Sequence, residues 1–266
     1  MLFFAIVFVF IKERITDDME ANTIFILIII FIATLIRSTF GFGESLVAVP
    51  LLLLFLPVEI AVPLSVLLSI FIAAVVVVQD HQQIHFSSAK WLILFALPGI
   101  PLGLFILVYG NGHFVKSGLG LLIILYSTYS LVAKQKTVLQ KDNRFWLFVC
   151  GFFSGVFGGA YGLNGPLLVV YGNMRNWSSK QFRATLQAYF LPASMIGMFG
   201  YWYKGLWIHT VTHYFLISLP VIIPAIFLGR YLNHRLKGNS FFNYLYTGLI
   251  FIGLVLIIQS LYSAFR

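Results

Sequence analysis

The chain has 266 residues, of which 60% are hydrophobic and 9% charged, and its net charge is +9. Soluble domains carry roughly 25% charged residues, so the composition excludes a water-facing globular surface and points to an all-α polytopic membrane protein. The positive balance does not signal nucleic acid. The basic residues cluster between apolar segments, where cytoplasmic loops and anionic headgroups account for them.

Residues 1–11 (MLFFAIVFVFI) are too short to span, since a crossing helix takes about 20 apolar residues. KERITDDMEA follows without the small-residue cleavage site of a signal peptide. Residues 1–20 are therefore expected to be an N-terminal extension, either a mis-called start with Met19 the true first residue or a helix lying in the interface. Residues 21–133 form a first transmembrane repeat. Its apolar segment 24–56 is interrupted by RSTFGFGES (Arg37 to Ser45), and runs at 58–79, 91–109 and 118–133 follow. A basic linker, residues 134–144, precedes a second repeat over 145–266. There the segment 145–172 is broken by FGGAYGLNGP (Phe157 to Pro166), and runs follow at 182–203, 214–231 and 241–262. Weak internal similarity supports duplication: ALPGIPLGLFI pairs with SLPVIIPAIFLG, and GLGLLIIL with TGLIFIGL.

At about 1.5 Å per residue the first broken segment would be roughly 49 Å long, against a hydrocarbon core of about 30 Å. That is long for one span and short for two. Loop charge decides between them, because Lys and Arg concentrate on the cytoplasmic side. If both broken segments cross once, the loop cations divide evenly between the two faces. If both fold back, Lys116 and Lys204 alone remain on one face and the other loop cations gather on the opposite face. The fold expected is thus two inverted repeats, each a glycine-broken, re-entrant-like helical hairpin plus three transmembrane helices. The basic loops are cytoplasmic and both termini extracytoplasmic, in the cytoplasmic membrane.

Non-helical backbone deep in a bilayer is tolerated where it is buried in protein or lines a wet cavity. The helix restarting after each break presents unpaired N–H groups and a positive dipole end. Gly41, Gly43, Glu44 and Ser45 in the first half, with Gly162, Asn164 and Gly165 in the second, are the candidate anion-binding residues. Asn164 is the expected cap, and Pro166 suits a first helical turn. The alternative is that the glycines only allow close helix packing.

Arg37 and Glu44 are ionisable groups within an apolar segment, expensive there and therefore functional candidates. They are a candidate ion pair or proton relay, since burial and a neighbouring arginine act on Glu44 in opposite directions. Arg183, with Gln187 one turn away, is a candidate substrate-binding residue at the cytoplasmic mouth, against the alternative of an arginine snorkelling to headgroups. His81 and His85 have the i, i+4 spacing of metal ligands but fall in a loop, so no metal site is expected. Cys150 is the sole cysteine, and no phosphate-binding Gly-Lys-Ser/Thr loop occurs; no cofactor and no enzymatic chemistry is expected.

The glycine-rich turn running toward Pro-Leu-Leu in both halves (Pro50 and Pro166) resembles the sulfite exporter TauE/SafE family of membrane permeases. So do LPGIPLG (residues 97–103), LPVIIPAIFLG (219–229) and the closing apolar span. The resemblance covers residues 24–261, and FRATLQAYFLPASMIGMFGYWYKGLW (182–207) is similar to the family's second-half Arg-Ala-Thr helix. It implies transport of a small anion, often sulfite or an organosulfonate. Two features depart from the family pattern. The turns lack three consecutive glycines, and Glu44 places a negative charge at the site unless Arg37 neutralises it or it is protonated. The leading reading is a secondary transporter for a small anion, working by alternating access. The alternatives are a permease or channel for another solute, including a cation held by Glu44, and a membrane-embedded metalloenzyme using His81 and His85.

Overall fold

The structure, a computed structural model, describes residues 19–132, 139–235 and ten helical positions between 247 and 260. Residues 1–18 of the expected N-terminal extension, residues 134–138 of the basic linker and much of the last run lie outside the described residues. Within them every regular element is helical: α1 (Met19–Phe40), α2 (Glu44–Leu52), α3 (Val58–Asp80), α4 (Phe86–Ala96), α5 (Gly99–Tyr109), α6 (Gly112–Val132), α7 (Arg144–Tyr161), α8 (Gly165–Met174), α9 (Ser179–Tyr203) and α10 (His209–Arg235), with a short 3-10 turn at His81–Gln83. Among the described residues four helices are long and apolar enough to cross a bilayer, and the α4–α5 pair makes a fifth candidate.

Each broken segment doubles back on itself. Phe55, just past α2, stacks on Phe25 near the start of α1 with ring centroids 6.0 Å apart. In the second half the Leu139 N–H donates to the Met174 carbonyl at 2.7 Å, and Arg175 pairs with Asp142 at 3.0 Å. The end of α8 thus returns to the start of α7. α3 begins beside the open end of the first hairpin and leads, through the 3-10 turn, to Ser88, whose hydroxyl donates to Asp142 at 2.7 Å. The two hairpins therefore open toward opposite ends of α3.

The run expected at 91–109 is two helices, α4 and α5, bent by 45°. Pro98 at the junction has no N–H to donate, and Pro101 lies within the first turn of α5, so an unbroken ladder is disfavoured there. The bend lays α5 along α7 with backbones nearly touching. A Cβ on Gly99 or Gly103 would collide with the carbonyls of Phe152 or Val156, and one on Gly155 or Gly159 with those of Ala96 or Ile100. Small residues let transmembrane helices approach where van der Waals contact has to supply the adhesion. The packing role of glycine and its role at the breaks thus belong to different residues. Gly155 and Gly159 pack, whereas Gly41, Gly43 and Gly162 have φ of +85°, +100° and +68°, a backbone region costly for side chains with a Cβ.

α1 packs along α10 and α9 along α3, enclosing the first hairpin. The larger apolar core joins α1, α2 and α3 to parts of α6 and α10. A second cluster joins α4, α7, α8 and α9. The tips of the hairpins meet between them.

Candidate functional site at the hairpin junction

Gly43, Glu44, Ser45 and Leu46 of the first hairpin and Gly162, Leu163, Asn164, Gly165 and Pro166 of the second line one cavity, with Arg37, Phe42, Ser69 and Phe190 completing the wall. Its volume is about 20 Å³, room for a water molecule but not for a sulfonate. The depth follows from Ser69, the middle residue of the 23-residue α3, which lies about 16 Å from either end of that helix. The starts of two short helices converge there, and the first N–H groups of a helix have no partner within it. Together with the dipole ends this favours an anion.

Arg37 and Glu44 pair at 3.0 Å, with side chains 3% and 1% exposed. The guanidinium donates from Nη1 to Glu44 and to the Ser69 hydroxyl, and from Nη2 to the Ser69 carbonyl and Gln187 Oε1. Nε also donates to Gln187 Oε1, at 3.2 Å. All of the N–H donors of an arginine are thereby used, and the guanidinium lies 4.8 Å from the centroid of the Phe190 ring. Glu44 accepts from Ser65 at Oε1 (2.8 Å) and from Ser45 at Oε2 (3.0 Å). Ser69 and Ser194 share a further hydrogen bond of 3.1 Å. Gln187 Nε2 donates to the Gly41 carbonyl at 2.8 Å, tying α9 to the backbone of the first break. A buried charge pair tolerates desolvation only when both partners are saturated in this way. The network is a neutral, fully bonded brace behind the two helix starts.

Asn164 does not cap α8 as expected, because its side chain makes no cap hydrogen bond. The side-chain amide instead lies against Gly158, filling the space a Cβ would take, and the Asn164 backbone carbonyl accepts from the Ser154 hydroxyl at 2.6 Å. Gly165 has room: a Cβ there would meet nothing nearer than Phe42 at 3.7 Å.

Arg183 and Gln187 do not share a cavity. Gln187 belongs to the Arg37 brace, whereas Arg183 pairs with Asp80 at 2.6 Å and lines a separate cavity of about 300 Å³ near the end of α3. His81 and His85 are separated by a change of backbone. His81 lies in the 3-10 turn, Ile84 is extended, and His85 accepts from the Ser88 N–H at the start of α4. The spacing is therefore not that of two ligands on one helical face. Ser65, Ser69, Ser194 and Asp80 are the partners that a reading of local pattern missed. The serine pair at i, i+4 in the otherwise apolar middle of α3 was the available signal.

The model of the sulfite exporter TauE/SafE family matches residues 26–256, from within α1 to beyond α10. The chain belongs to the sulfite exporter TauE/SafE family. It is 26% identical over 195 residues to a protein of Cupriavidus necator described as a probable sulfite/organosulfonate exporter TauE, an alignment covering 72% of this chain and 75% of that one. No solved structure matches the chain. Membership in this permease family fits the multi-pass helical architecture. Both glycine breaks and the whole Arg37–Glu44 brace fall within the matched TauE/SafE region.

Proposed function

We propose that this TauE/SafE protein is a secondary transporter that moves a small sulfur-containing anion, sulfite or an organosulfonate, across the cytoplasmic membrane by alternating access. The observation that carries the reading is the convergence of two short-helix starts, from hairpins opening in opposite directions, on one cavity level with the middle of α3. Broken helices whose N-termini point at an anionic group are a recurring transporter device. In this reading the halves are inverted repeats, the basic loops lie in the cytoplasm and both termini lie outside. The anion is held by the backbone around Gly41, Gly43, Glu44 and Ser45 and around Gly162, Asn164 and Gly165. The Arg37–Glu44 pair contributes no net charge to repel it. That neutrality also counts against the rival reading of a cation held by Glu44, whose two oxygens are engaged by Arg37, Ser45 and Ser65. The small cavity means that the hairpin tips part to admit the anion, as alternation between two outlets requires.

The test is uptake of labelled sulfite into proteoliposomes holding the purified full chain, with and without unlabelled sulfite inside. Saturable uptake accelerated by internal sulfite is expected, since a carrier that alternates returns faster when loaded. Uptake that does not saturate, or none for sulfite and a panel of organosulfonates in folded protein, would overturn the proposal.

A further inference from the structure

The cavity lined by Arg183 has a wall carrying three cations, Lys180, Arg183 and Arg230, against one carboxylate, Asp80. Arg183 is 2% exposed and uses Nη1 to hold Asp80 at 2.6 Å. Its Nε and Nη2 have no hydrogen-bond partner and are closed to solvent, so a small rotation of the side chain is needed to present them to the cavity. Those two N–H groups form one edge of the guanidinium, the edge that engages two oxygens of a planar or tetrahedral oxyanion at once. A buried guanidinium edge left without acceptors is costly, so it is a place for an acceptor oxygen, and its fork geometry matches an oxyanion. Arg230 reaches the other Asp80 oxygen at 3.5 Å with a side chain 40% exposed, so its charge remains available to the cavity.

The position is as telling as the charge. A Cβ on Gly41 would come within 2.8 Å of the Arg183 Cα, so this cavity backs directly onto the first break. Asn233, also in its wall, donates to the Thr39 carbonyl at 2.6 Å. Gln187, one turn along α9 from Arg183, holds both Arg37 and the Gly41 carbonyl.

We infer that this cavity is an outer anion site, which captures a small oxyanion on the Nε/Nη2 edge of Arg183 before it reaches the hairpin junction, with Asp80 as a fixed counter-charge that keeps binding weak enough for release. The inference rests on the transport reading above and adds a second site to it. Asp80 divides this role from a purely structural one. In an outer anion site the carboxylate opposes the ligand, so its neutralisation tightens binding. In a structural salt bridge the same change only weakens the fold.

The experiment measures methanesulfonate binding to the purified full chain in nanodiscs, zwitterionic or containing anionic phospholipid, by the thermal shift it produces, alongside the KM for labelled sulfite in proteoliposomes. Arg183→Lys, which keeps charge but loses the fork, is expected to raise KM about tenfold. Arg230→Gln, at a half-exposed position, is expected to raise it about threefold. Asp80→Asn is expected to lower KM and to strengthen methanesulfonate binding about threefold. Sulfite flux with KM and binding unchanged or weakened in Asp80→Asn would overturn the outer site and leave the transport reading standing. Methanesulfonate binding that tightens in Asp80→Asn, without sulfite flux in any variant, would support the outer site and overturn the transport reading. An Asp80→Asn effect confined to membranes containing anionic phospholipid would assign the site to a lipid headgroup phosphate and overturn it as a substrate site.

Discussion

Replacing Glu44 by Gln removes one charge from the brace while preserving shape; the amide oxygen can still accept from Arg37 and Ser45, and the amide NH2 takes the place of the oxygen that accepts from Ser65. Arg37 would then stand with its five hydrogen bonds but no counter-ion, at a side-chain exposure of 3%. Breaking a buried pair from one side costs about 3–5 kcal/mol, whereas replacing both members is far cheaper. Glu44→Gln and Arg37→Gln are each expected to lose about 3 kcal/mol or more, and the double variant to regain much of it. The coupling energy in the cycle should then exceed about 3 kcal/mol. Denaturant unfolding of the four proteins in lipid nanodiscs measures it. Additive single effects, or a Glu44→Gln loss under about 1 kcal/mol, would refute the claim that the two charges are one neutral unit.

Gly165→Ala should fold normally, because its Cβ has 3.7 Å of clearance, yet lower sulfite flux at least severalfold by filling the junction; uptake and melting temperature read together check this. Gly41→Ala should lose more stability than Gly43→Ala. Both incur about 1–3 kcal/mol of left-handed strain, but only Gly41 also drives a Cβ against the Arg183 backbone, as unfolding midpoints would reveal. At the base of the second hairpin, burial pushes the Asp142 carboxyl up, but hydrogen bonds from Ser88, Tyr171 and Ser87 and the Arg175 charge outweigh it and hold the carboxyl below its usual value. Its contribution to stability is therefore complete above the ordinary carboxylate range near pH 4 and lost as pH falls through the depressed value. Asp142→Asn should lower the melting temperature at pH 7 and shrink the drop on acidification.

The breaks were legible because glycine and charge inside an apolar segment have few innocent explanations. The doubling-back of both hairpins was legible in the loop cations, which gather on one face only if both segments fold back. The partners of those charges left a fainter trace. Ser65 and Ser69 meet Glu44 and Arg37 across more than twenty residues, and Gln187 across 150. Such pairings are set by how helices cross rather than by local pattern. Arg183 was legible as a costly residue, but its link to Asp80 was hidden because Asp80 sits among loop-like polar residues next to His81. Nor did spacing distinguish the glycines that pack α5 on α7 from those that turn the chain, since packing and positive φ are both met by the absence of a Cβ.

In the proposed mechanism one anion sits between the starts of α2 and α8 and reaches that place from each side in turn. Ser45→Cys, in a background where the buried Cys150 is replaced by Ala, puts a reactive group in the cavity wall. The decisive measurement is its modification by a membrane-impermeant maleimide added to either side of oriented vesicles, with methanesulfonate as the unreactive protecting anion. Labelling from both sides, slowed from both by methanesulfonate, is the result predicted. Labelling from one side alone, or at a rate indifferent to the anion, would contradict a shared site at the hairpin junction.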